Sequence, residues 1–290
     1  MRVPRSGTPR KDAWLALIEA ALRKYLPTRT AEPREIHEAM HYAVLGGGKR
    51  FRPRLVLAAC EAVGGDPRKA LVPASAVEFI HNYSLAHDDL PAMDNDEMRR
   101  GLPACHKKFG EAIAILAGDA LLTRAFELLA GFRPSDMALR LIRELGEAAG
   151  TRGMIGGQVF DILRAPAEGA RALPDLETMN LINRKKTGRL IEGAAVMGAL
   201  VGTRSEENIN RVRRFGQALG LAFQVVDDIM DADGYLRLMN SGEAQQKLKI
   251  LITQARREAA FFASRGRGLT ELADFLWSTA QNHVSVGLKN

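Results

Sequence analysis

The feature that most constrains the fold is a helical spacing of apolar residues that continues along almost the whole chain. Apolar side chains recur three and four positions apart, in segments rich in Ala, Leu, Glu, Arg and Met. Gly and Pro interrupt the pattern, and alternating strand patterns are absent from the sequence. Helices are predicted at residues 11–25, 33–46, 52–63, 67–89, 109–131, 135–149, 151–163, 175–200, 205–232, 241–263 and 268–284. The sequence therefore predicts an all-α fold, a single large helical bundle around a central cavity.

Length and composition fit one globular domain. The 290 residues are 46% hydrophobic and 26% charged, a balance that can bury a sizeable core. No repeat or linker divides them, so we predict one domain over residues 1–290, with residues 1–10 as a flexible tail. The two cysteines, Cys60 and Cys105, require no disulfide framework, which favours a reducing compartment.

The basic residues are scattered, although the formal net charge is +7. Short basic runs at residues 49–52, 99–100 and 184–186 each lie beside Gly or Thr, which fits several small anion sites better than nucleic acid. No apolar run approaches the ~20 residues that cross a bilayer, and the amino terminus lacks the apolar core of a secretion signal. We therefore expect a cytoplasmic protein without a nucleic-acid partner or a stable membrane anchor.

Residues 217–231, QALGLAFQVVDDIMD, predict a helix with one acidic face. Positions i, i+7, i+10, i+11 and i+14 lie on one side of a helix, and here they hold Gln217, Gln224, Asp227, Asp228 and Asp231. The other sides are apolar. Such a helix is expected to be buried, with its acidic stripe lining a cleft.

A second acidic stretch ends the predicted helix at residues 67–89. His81, Ser84 and Asp88 lie at i, i+3 and i+7, and Asp94 follows in a loop. One such cluster could equally be solvated surface or helix caps, but two clusters within apolar sequence require a counter-charge. Oxygen ligands favour a hard cation, and Mg²⁺ usually shares its ligands with substrate phosphates.

The segment GGGKRFRP, residues 46–53, predicts an anion-binding loop. Three glycines let the backbone approach an anion closely, and Lys49, Arg50 and Arg52 follow them. Such a turn is often only a helix connection, but here Arg99 and Arg100 follow the acidic stretch. Anion sites with and without a metal together indicate two phosphorylated substrates.

Four motifs occur in an order that resembles the trans-isoprenyl diphosphate synthases, most closely the bacterial farnesyl type. They are GGGKRFRP, HNYSLAHDDLPAMDNDEMRRGLPACHKKFGEAIAILAGDALL, KKTG and FQVVDDIMD. The resemblance covers nearly the whole chain. It implies Mg²⁺-dependent, head-to-tail transfer of a prenyl group from an allylic diphosphate to isopentenyl diphosphate, by a homodimer, with farnesyl diphosphate as the product.

The resemblance also implies a role for individual residues. Mg²⁺ on the allylic diphosphate would be bound by Asp88, Asp89, Asp94, Asp227 and Asp231, with Asp89 and Asp228 supporting the ligands. Arg99 and Lys186 would bind that diphosphate directly. Isopentenyl diphosphate would be bound by Lys49, Arg52, His81 and Arg100. Lys186, Thr187 and Gln224 would be the catalytic residues, and of these Thr187 and Gln224 would face the developing carbocation.

Tyr83 and Ser84 are the predicted chain-length residues. Tyr83 lies five residues before Asp88, which places it roughly 7.5 Å along the helix, where a growing apolar tail would point. In the family an aromatic residue here, with the Pro91–Ala92 insertion, resembles the farnesyl type. Ordinary core packing is the alternative interpretation of Tyr83.

One motif departs from the family pattern. A Gly-Lys-x-x-Gly-x-Asp loop usually follows the second acidic motif, and residues 231–251 do not contain it. Lys247 or Lys249 could supply the missing lysine, the loop could be absent, or the sequence could omit a mobile segment.

Other functions fit parts of the same sequence. A geranylgeranyl diphosphate synthase and a non-catalytic partner subunit would share the fold, whereas a terpene cyclase would not need the second basic site. Two Glu-x-x-His sequences, at residues 38–41 and 78–81, match a di-iron bundle but leave both acidic stretches unexplained. His87 beside Asp88 matches a metal phosphohydrolase, but the other histidines lack supporting spacing.

Overall fold

The computed structural model describes residues 10–164 and 175–287, and most of them are α-helical. The helices are α1 Arg10–Tyr25, α2 Arg34–Leu45, α3 Phe51–Ala62, α4 Leu71–Asp88, α5 Cys105–Phe109, α6 Glu111–Ala130, α7 Ser135–Ala149, α8 Met154–Arg164, α9 Leu176–Asn183, α10 Arg189–Gly202, α11 Glu206–Asp231, α12 Ser241–Ala260 and α13 Arg267–Gly287. Shorter 3₁₀ turns occur at Pro67–Ala70, Gly234–Arg237 and Ala263–Gly266, and a π-helical turn at Arg184–Gly188. The all-α prediction is confirmed.

The chain divides into two compact units. Described residues within Met1–Leu57 and Arg68–Ile142 form the first unit, and those within Ala58–Pro67 and Arg143–Asn290 form the second. The single domain over residues 1–290 stays a prediction. The predicted tail lies outside the described residues except for Arg10, where α1 begins. Within the described ranges, no helix has the length and hydropathy that crossing a bilayer requires.

Helix α4 forms the core of the first unit, where it packs against α1, α2 and α6. Its apolar residues occupy every side of the helix, and Val77, Phe79 and Ile80 are fully buried. Helix α6 approaches α4 closely at Gly118, where an added Cβ would lie only 2.1 Å from Nε2 of His87. The acidic stretch therefore begins at the end of a largely buried helix.

A short β-hairpin follows the acidic stretch, in a region where no strand was expected. Strands β1, Met98–Arg99, and β2, Leu102–Pro103, pair antiparallel. Arg100 and Gly101 connect them, and both have positive φ, 54° and 77°. This is the backbone that a two-residue hairpin turn requires. Two-residue strands are too short to show alternation in sequence.

Helix α11 forms the core of the second unit, between α10 and α12. The Ser205 side chain caps its amino end by accepting a hydrogen bond from the Asn208 backbone N–H, at 3.3 Å. An added Cβ on Gly220 would lie 2.8 Å from Cα of Gly188, so this glycine permits a close approach between α11 and the π-helical turn. The predicted buried helix over residues 205–232 is observed as α11.

The long helix predicted at residues 175–200 is interrupted. It is observed as α9, then the π-helical turn Arg184–Gly188, then α10. Two glycines contact the turn from neighbouring helices, Gly157 of α8 and Gly220 of α11. The interruption places the KKTG motif in a local widening of the helix, a feature that often occurs at functional sites.

Candidate active site

The first acidic group lies where α4 ends. Asp88 is its last residue, Asp89 caps it, and the Asp94 backbone N–H returns to the Asp88 carbonyl at 2.9 Å. Asp88 is partly exposed, Asp94 is exposed, and Asp89 is buried. The loop thus holds two accessible carboxylates one hydrogen-bonded turn apart, with a third carboxylate behind them.

The buried carboxylate of Asp89 forms an ion pair with Arg99. The Arg99 Nε donates to Oδ1 of Asp89 at 2.9 Å, and its Nη2 contacts the same oxygen and Oδ2 of Asp96. These hydrogen bonds, above all that to Asp89, raise the pKa of Arg99 against the opposing effect of burial. Asp89 therefore orients Arg99, one of the two residues predicted to bind the allylic diphosphate.

The predicted isopentenyl diphosphate ligands belong to the same unit. Lys49 is exposed, Arg52 is partly exposed, and both lie beside the glycines of residues 46–48. The Arg100 guanidinium reaches this loop, where its Nη1 donates to the Gly47 carbonyl at 2.6 Å. Burial, followed by the charges of Arg52 and Arg100, lowers the pKa of His81 well below 6.5. His81 is therefore a neutral hydrogen-bonding group at neutral pH.

Tyr83 lies inside α4, one turn before the acidic group. It is 5% exposed, and its hydroxyl makes no hydrogen bond within the described part of the chain. Burial, and then the charge of Asp88, raises the pKa of Tyr83 to about 12. Its ring meets the His87 ring edge-to-face, with centroids 5.7 Å apart. Ser84 is partly exposed and donates to the His81 carbonyl at 2.9 Å.

The predicted catalytic residues of the second unit form a hydrogen-bonded chain. The Thr187 hydroxyl donates to Oε1 of Gln224 at 2.8 Å, and the Gln224 amide donates to Oδ1 of Asp228 at 2.8 Å. The Tyr235 backbone N–H donates to the other oxygen of Asp228 at 2.9 Å. Burial raises the pKa of Asp228, although these two hydrogen bonds oppose the shift. Asp228 thus orients the Gln224 side chain, which in turn accepts the hydrogen bond of Thr187.

Lys186 of the π-helical turn pairs with an acid that the sequence did not single out. Its Nζ donates to Oδ2 of Asp161 at 2.6 Å, and both side chains are partly exposed. Asp161 lies one turn after Gly157 on α8. A Cβ added to Gly157 would lie 2.1 Å from the Lys186 backbone nitrogen. Helix α8 therefore contacts both the backbone and the side chain of Lys186.

Asp227 and Asp231 lie one turn apart at the carboxyl end of α11. Asp227 is partly exposed and Asp231 is exposed. In the described part of the chain, no three His, Cys, Asp or Glu side chains come close enough to bind a metal ion alone. Pairs of accessible carboxylates still fit Mg²⁺, because that ion usually binds one or two carboxylates and completes its ligands with water and substrate phosphate.

The two lysines considered as substitutes for the family's lysine loop have different environments. Lys249 is exposed. Lys247 is partly exposed, donates to Oδ1 of Asn180 at 2.9 Å, and lies 4.8 Å from the centroid of the Tyr235 ring. Desolvation lowers the pKa of Lys247. Of the two, Lys247 adjoins the residue that supports Asp228.

Comparisons with known proteins identify the family of this chain. The family described as Polyprenyl synthetase matches residues 33–246. A geranylgeranyl diphosphate synthase of Cyanophora paradoxa is 38% identical over 282 residues, covering 90% of this chain and 92% of that protein. The heterodimeric geranylgeranyl pyrophosphate synthase large subunit 1 of Arabidopsis thaliana, named as chloroplastic, is 51% identical over 222 residues. That alignment covers 74% of this chain and only 58% of the relative.

Solved structures share the fold. The crystal structure of an FPP/GFPP synthase from Zymomonas mobilis superposes with a TM-score of 0.84 at 36% identity, covering 91% of this chain and 99% of that one. A geranyltransferase from Legionella pneumophila gives a TM-score of 0.86 at 33% identity, covering 93% and 96%. The family match over residues 33–246 and the similarity to these relatives show that the chain belongs to the polyprenyl synthetase family, the trans-isoprenyl diphosphate synthases.

Proposed function

We propose that the protein is a Mg²⁺-dependent prenyltransferase that elongates an allylic diphosphate with isopentenyl diphosphate. The observation that carries the proposal is the series of hydrogen bonds from Thr187 through Gln224 to Asp228. Gln224 and Asp228 lie on α11, which also bears Asp227 and Asp231. These hydrogen bonds connect oxygen atoms that can stabilise a carbocation with the helix whose carboxylates can bind the metal ions of a diphosphate. Family membership supports the same reaction.

The chemistry begins with cleavage of the bond between C1 and oxygen in the allylic substrate. The electron pair leaves with diphosphate, so catalysis depends chiefly on neutralising the charge that develops there. Bound Mg²⁺ would supply much of that neutralisation, with Asp88, Asp94, Asp227 and Asp231 as its carboxylate ligands. The double bond of isopentenyl diphosphate then attacks C1, and the departing diphosphate accepts the proton that is lost.

Individual side chains then have separate tasks. Lys186 and Arg99 bind the allylic diphosphate, and each is presented by a carboxylate, Asp161 and Asp89 respectively. The oxygens of Thr187 and Gln224 stabilise the positive charge on the allylic group. Asp89 and Asp228 act mainly through the residues they orient, because both are buried and hydrogen-bonded within the protein.

Isopentenyl diphosphate is assigned to the basic loop. Lys49, Arg52 and Arg100 supply positive charge around residues 46–53, and His81 supplies an uncharged hydrogen-bonding group. No carboxylate pair is needed to bind this diphosphate, since the cations contact it directly. The allylic substrate and isopentenyl diphosphate therefore differ in their dependence on Mg²⁺.

The product is best assigned as geranylgeranyl diphosphate. The relatives from Cyanophora paradoxa and Arabidopsis thaliana are both named for that product. Farnesyl diphosphate is the second candidate, favoured by the buried ring of Tyr83, and the Zymomonas mobilis structure is named for farnesyl and longer products. The sequence prediction of a C15 product is thus less well supported than its C20 alternative.

Association with a second copy of the chain is part of the proposal. Ile115 and Leu116 of α6 are 43% and 50% exposed, an adjacent apolar pair on the surface of the described chain. The Arabidopsis relative is named as a subunit of a heterodimer, so a partner of a different sequence is the alternative. Light scattering of the purified chain distinguishes them: a particle of two chains supports self-association.

Cytoplasmic location stays a prediction.

Product analysis tests the function. The purified protein is incubated with isopentenyl diphosphate, Mg²⁺ and dimethylallyl, geranyl or farnesyl diphosphate, and the dephosphorylated products are separated by chromatography. Extension of farnesyl diphosphate by one C5 unit supports the C20 assignment, whereas accumulation of farnesyl product supports the second candidate. Absence of any extended product with all three primers would overturn the proposal.

A further inference from the structure

Arg50 differs from the other basic residues of the glycine-rich loop because it points into the protein. It is 2% exposed, whereas Lys49 is exposed and Arg52 is partly exposed. Its backbone has a φ of +48°, in the left-handed region that non-glycine residues seldom occupy. The buried side chain of Arg50 thus stands between two accessible cations in the sequence, Lys49 and Arg52. The loop therefore presents two cations and buries a third.

The buried guanidinium is bound by two carboxylates from different helices. Nη1 of Arg50 lies 2.9 Å from Oε1 of Glu78 on α4, and Nε lies 2.6 Å from Oε1 of Glu19 on α1. The Glu78 side chain is 3% exposed. Burial alone would lower the pKa of Arg50, but these carboxylates reverse the direction and raise it. The loop is thus attached to α4 through a charge pair that water does not reach.

One turn after Glu78, Asn82 contacts the loop through a second arginine. Its Oδ1 accepts a hydrogen bond from Nη1 of Arg100 at 3.2 Å, and its Nδ2 donates to the Glu78 carbonyl at 2.7 Å. The same Arg100 nitrogen donates to the carbonyl of Gly47. A Cβ on Gly48 would lie 3.1 Å from Cζ of Arg100, so glycine makes room for the guanidinium there.

We propose that Glu78 and Asn82 are positioning residues for the metal-free diphosphate site, Glu78 through Arg50 and Asn82 through Arg100. Together they hold the glycine-rich loop against α4, so that Lys49, Arg52 and Arg100 converge on one anion. The inference rests on the proposed function, because it names the residues that shape the isopentenyl diphosphate site.

A purely structural role explains these contacts less well. A buried ion pair contributes little net stability, because desolvation of both charges offsets their attraction, and apolar replacements of similar size are often as stable. What such a pair does provide is a single geometry for the chain segments that it joins. Here those segments are the anion loop and the helix that ends in the first acidic group.

The double variant Arg50→Met with Glu78→Leu distinguishes a role in positioning the loop from a role in stabilising the fold. It removes both buried charges at once and leaves Glu19, which is partly exposed, to solvent. We expect an unfolding midpoint near that of the wild type, a KM for isopentenyl diphosphate at least ten-fold higher, and little change in kcat or in the KM for the allylic primer. Asn82→Leu tests the second contact and should give the same selective rise in KM.

The matched control removes an exposed ion pair of the same unit, Arg34 with Glu32, by changing both residues to Gln. All kinetic constants of this control should match the wild type. An unchanged KM for isopentenyl diphosphate in either test variant overturns the inference and leaves the proposed function intact. An equal rise in both KM values also overturns it, since that pattern indicates general loosening.

Binding of inorganic diphosphate makes the inference independent of turnover. Calorimetry in EDTA reports only sites that need no metal. We expect the wild type to bind and the double variant or Asn82→Leu to bind at least ten-fold more weakly. If the wild type elongates no primer, the proposed function fails while this difference still supports the positioning role; equal affinities contradict the positioning role in every case.

Discussion

Replacing Gly157 with Ala should disable the KKTG turn without touching any ionisable group. The new Cβ would lie 2.1 Å from the Lys186 nitrogen, 2.5 Å from its Cα and 2.7 Å from the carbonyl carbon of Lys185. All three are backbone atoms, so no side chain can rotate to relieve the contact. Either α8 or the π-helical turn must move.

The size of that movement follows from the contact distance. Ordinary van der Waals contact begins at 3.4 Å, so the two backbones must separate by roughly 1.3 Å at this point. Overpacking of this kind costs about 1–3 kcal/mol of folding free energy. A displacement on the order of 1 Å at a reacting group lowers kcat by about 10²-fold.

The assay compares steady-state elongation and thermal unfolding of Gly157→Ala with those of Gly146→Ala. An added Cβ on Gly146, within α7, meets nothing within 4 Å. That control should keep wild-type kcat and gain up to about 1 kcal/mol of stability from improved helix propensity. A Gly157→Ala protein with kcat within a few-fold of wild type would refute the reasoning, because Lys186 would then need no defined backbone position.

Two other predictions concern chain length and pH. Tyr83→Ala should lengthen the product by at least one C5 unit, measured by chromatography, because we propose that this buried ring limits the growing chain. An unchanged product shows that Tyr83 serves core packing alone. The pKa of His81 in the folded state lies well below its unfolded value of 6.5. Between these two pKa values the unfolded state binds the proton and the folded state does not, so the free energy of unfolding is highest above pH 6.5 and falls as the pH drops towards the folded pKa. In that pH window the free energy of unfolding of the wild type should fall by up to about 1.4 kcal/mol per pH unit more than that of His81→Asn, measured by denaturant unfolding. The control His283→Asn changes an exposed histidine and should follow the wild type. Parallel curves for the wild type and His81→Asn would contradict this prediction.

Helical periodicity was sufficient to predict the fold class and most helix positions. The prediction at residues 135–149 matches α7, and that at residues 205–232 matches α11 within a residue at each end. It failed at residues 175–200 because a π-helical turn inserts one residue without changing which residues are apolar. The turn is contacted closely by Gly157 and Gly220, which are distant in sequence from residues 184–188, so its tertiary neighbours were not visible locally.

The candidate site was predictable where the signal is local. Carboxylates one turn apart, such as Asp227 and Asp231, are visible in sequence because helix geometry relates neighbouring positions. Partners far along the chain were missed: Asp161 pairs with Lys186 across 25 positions, and Glu78 pairs with Arg50 across 28. Gly157, four residues before Asp161 on the same helix, is a local sign of a close backbone approach, as is Gly220 on α11.

The central claim is that accessible aspartates bind Mg²⁺ and so release diphosphate from a prenyl chain. It is tested most directly by measuring released diphosphate and prenyl product together while Mg²⁺ is titrated, for the wild type and for Asp88→Ala with Asp227→Ala. We predict one released diphosphate for every C5 unit added by the wild type, no release in EDTA, and a fall in kcat on the order of 10²-fold or more in the variant. Full turnover by the double variant, or by the wild type in EDTA, would contradict the account.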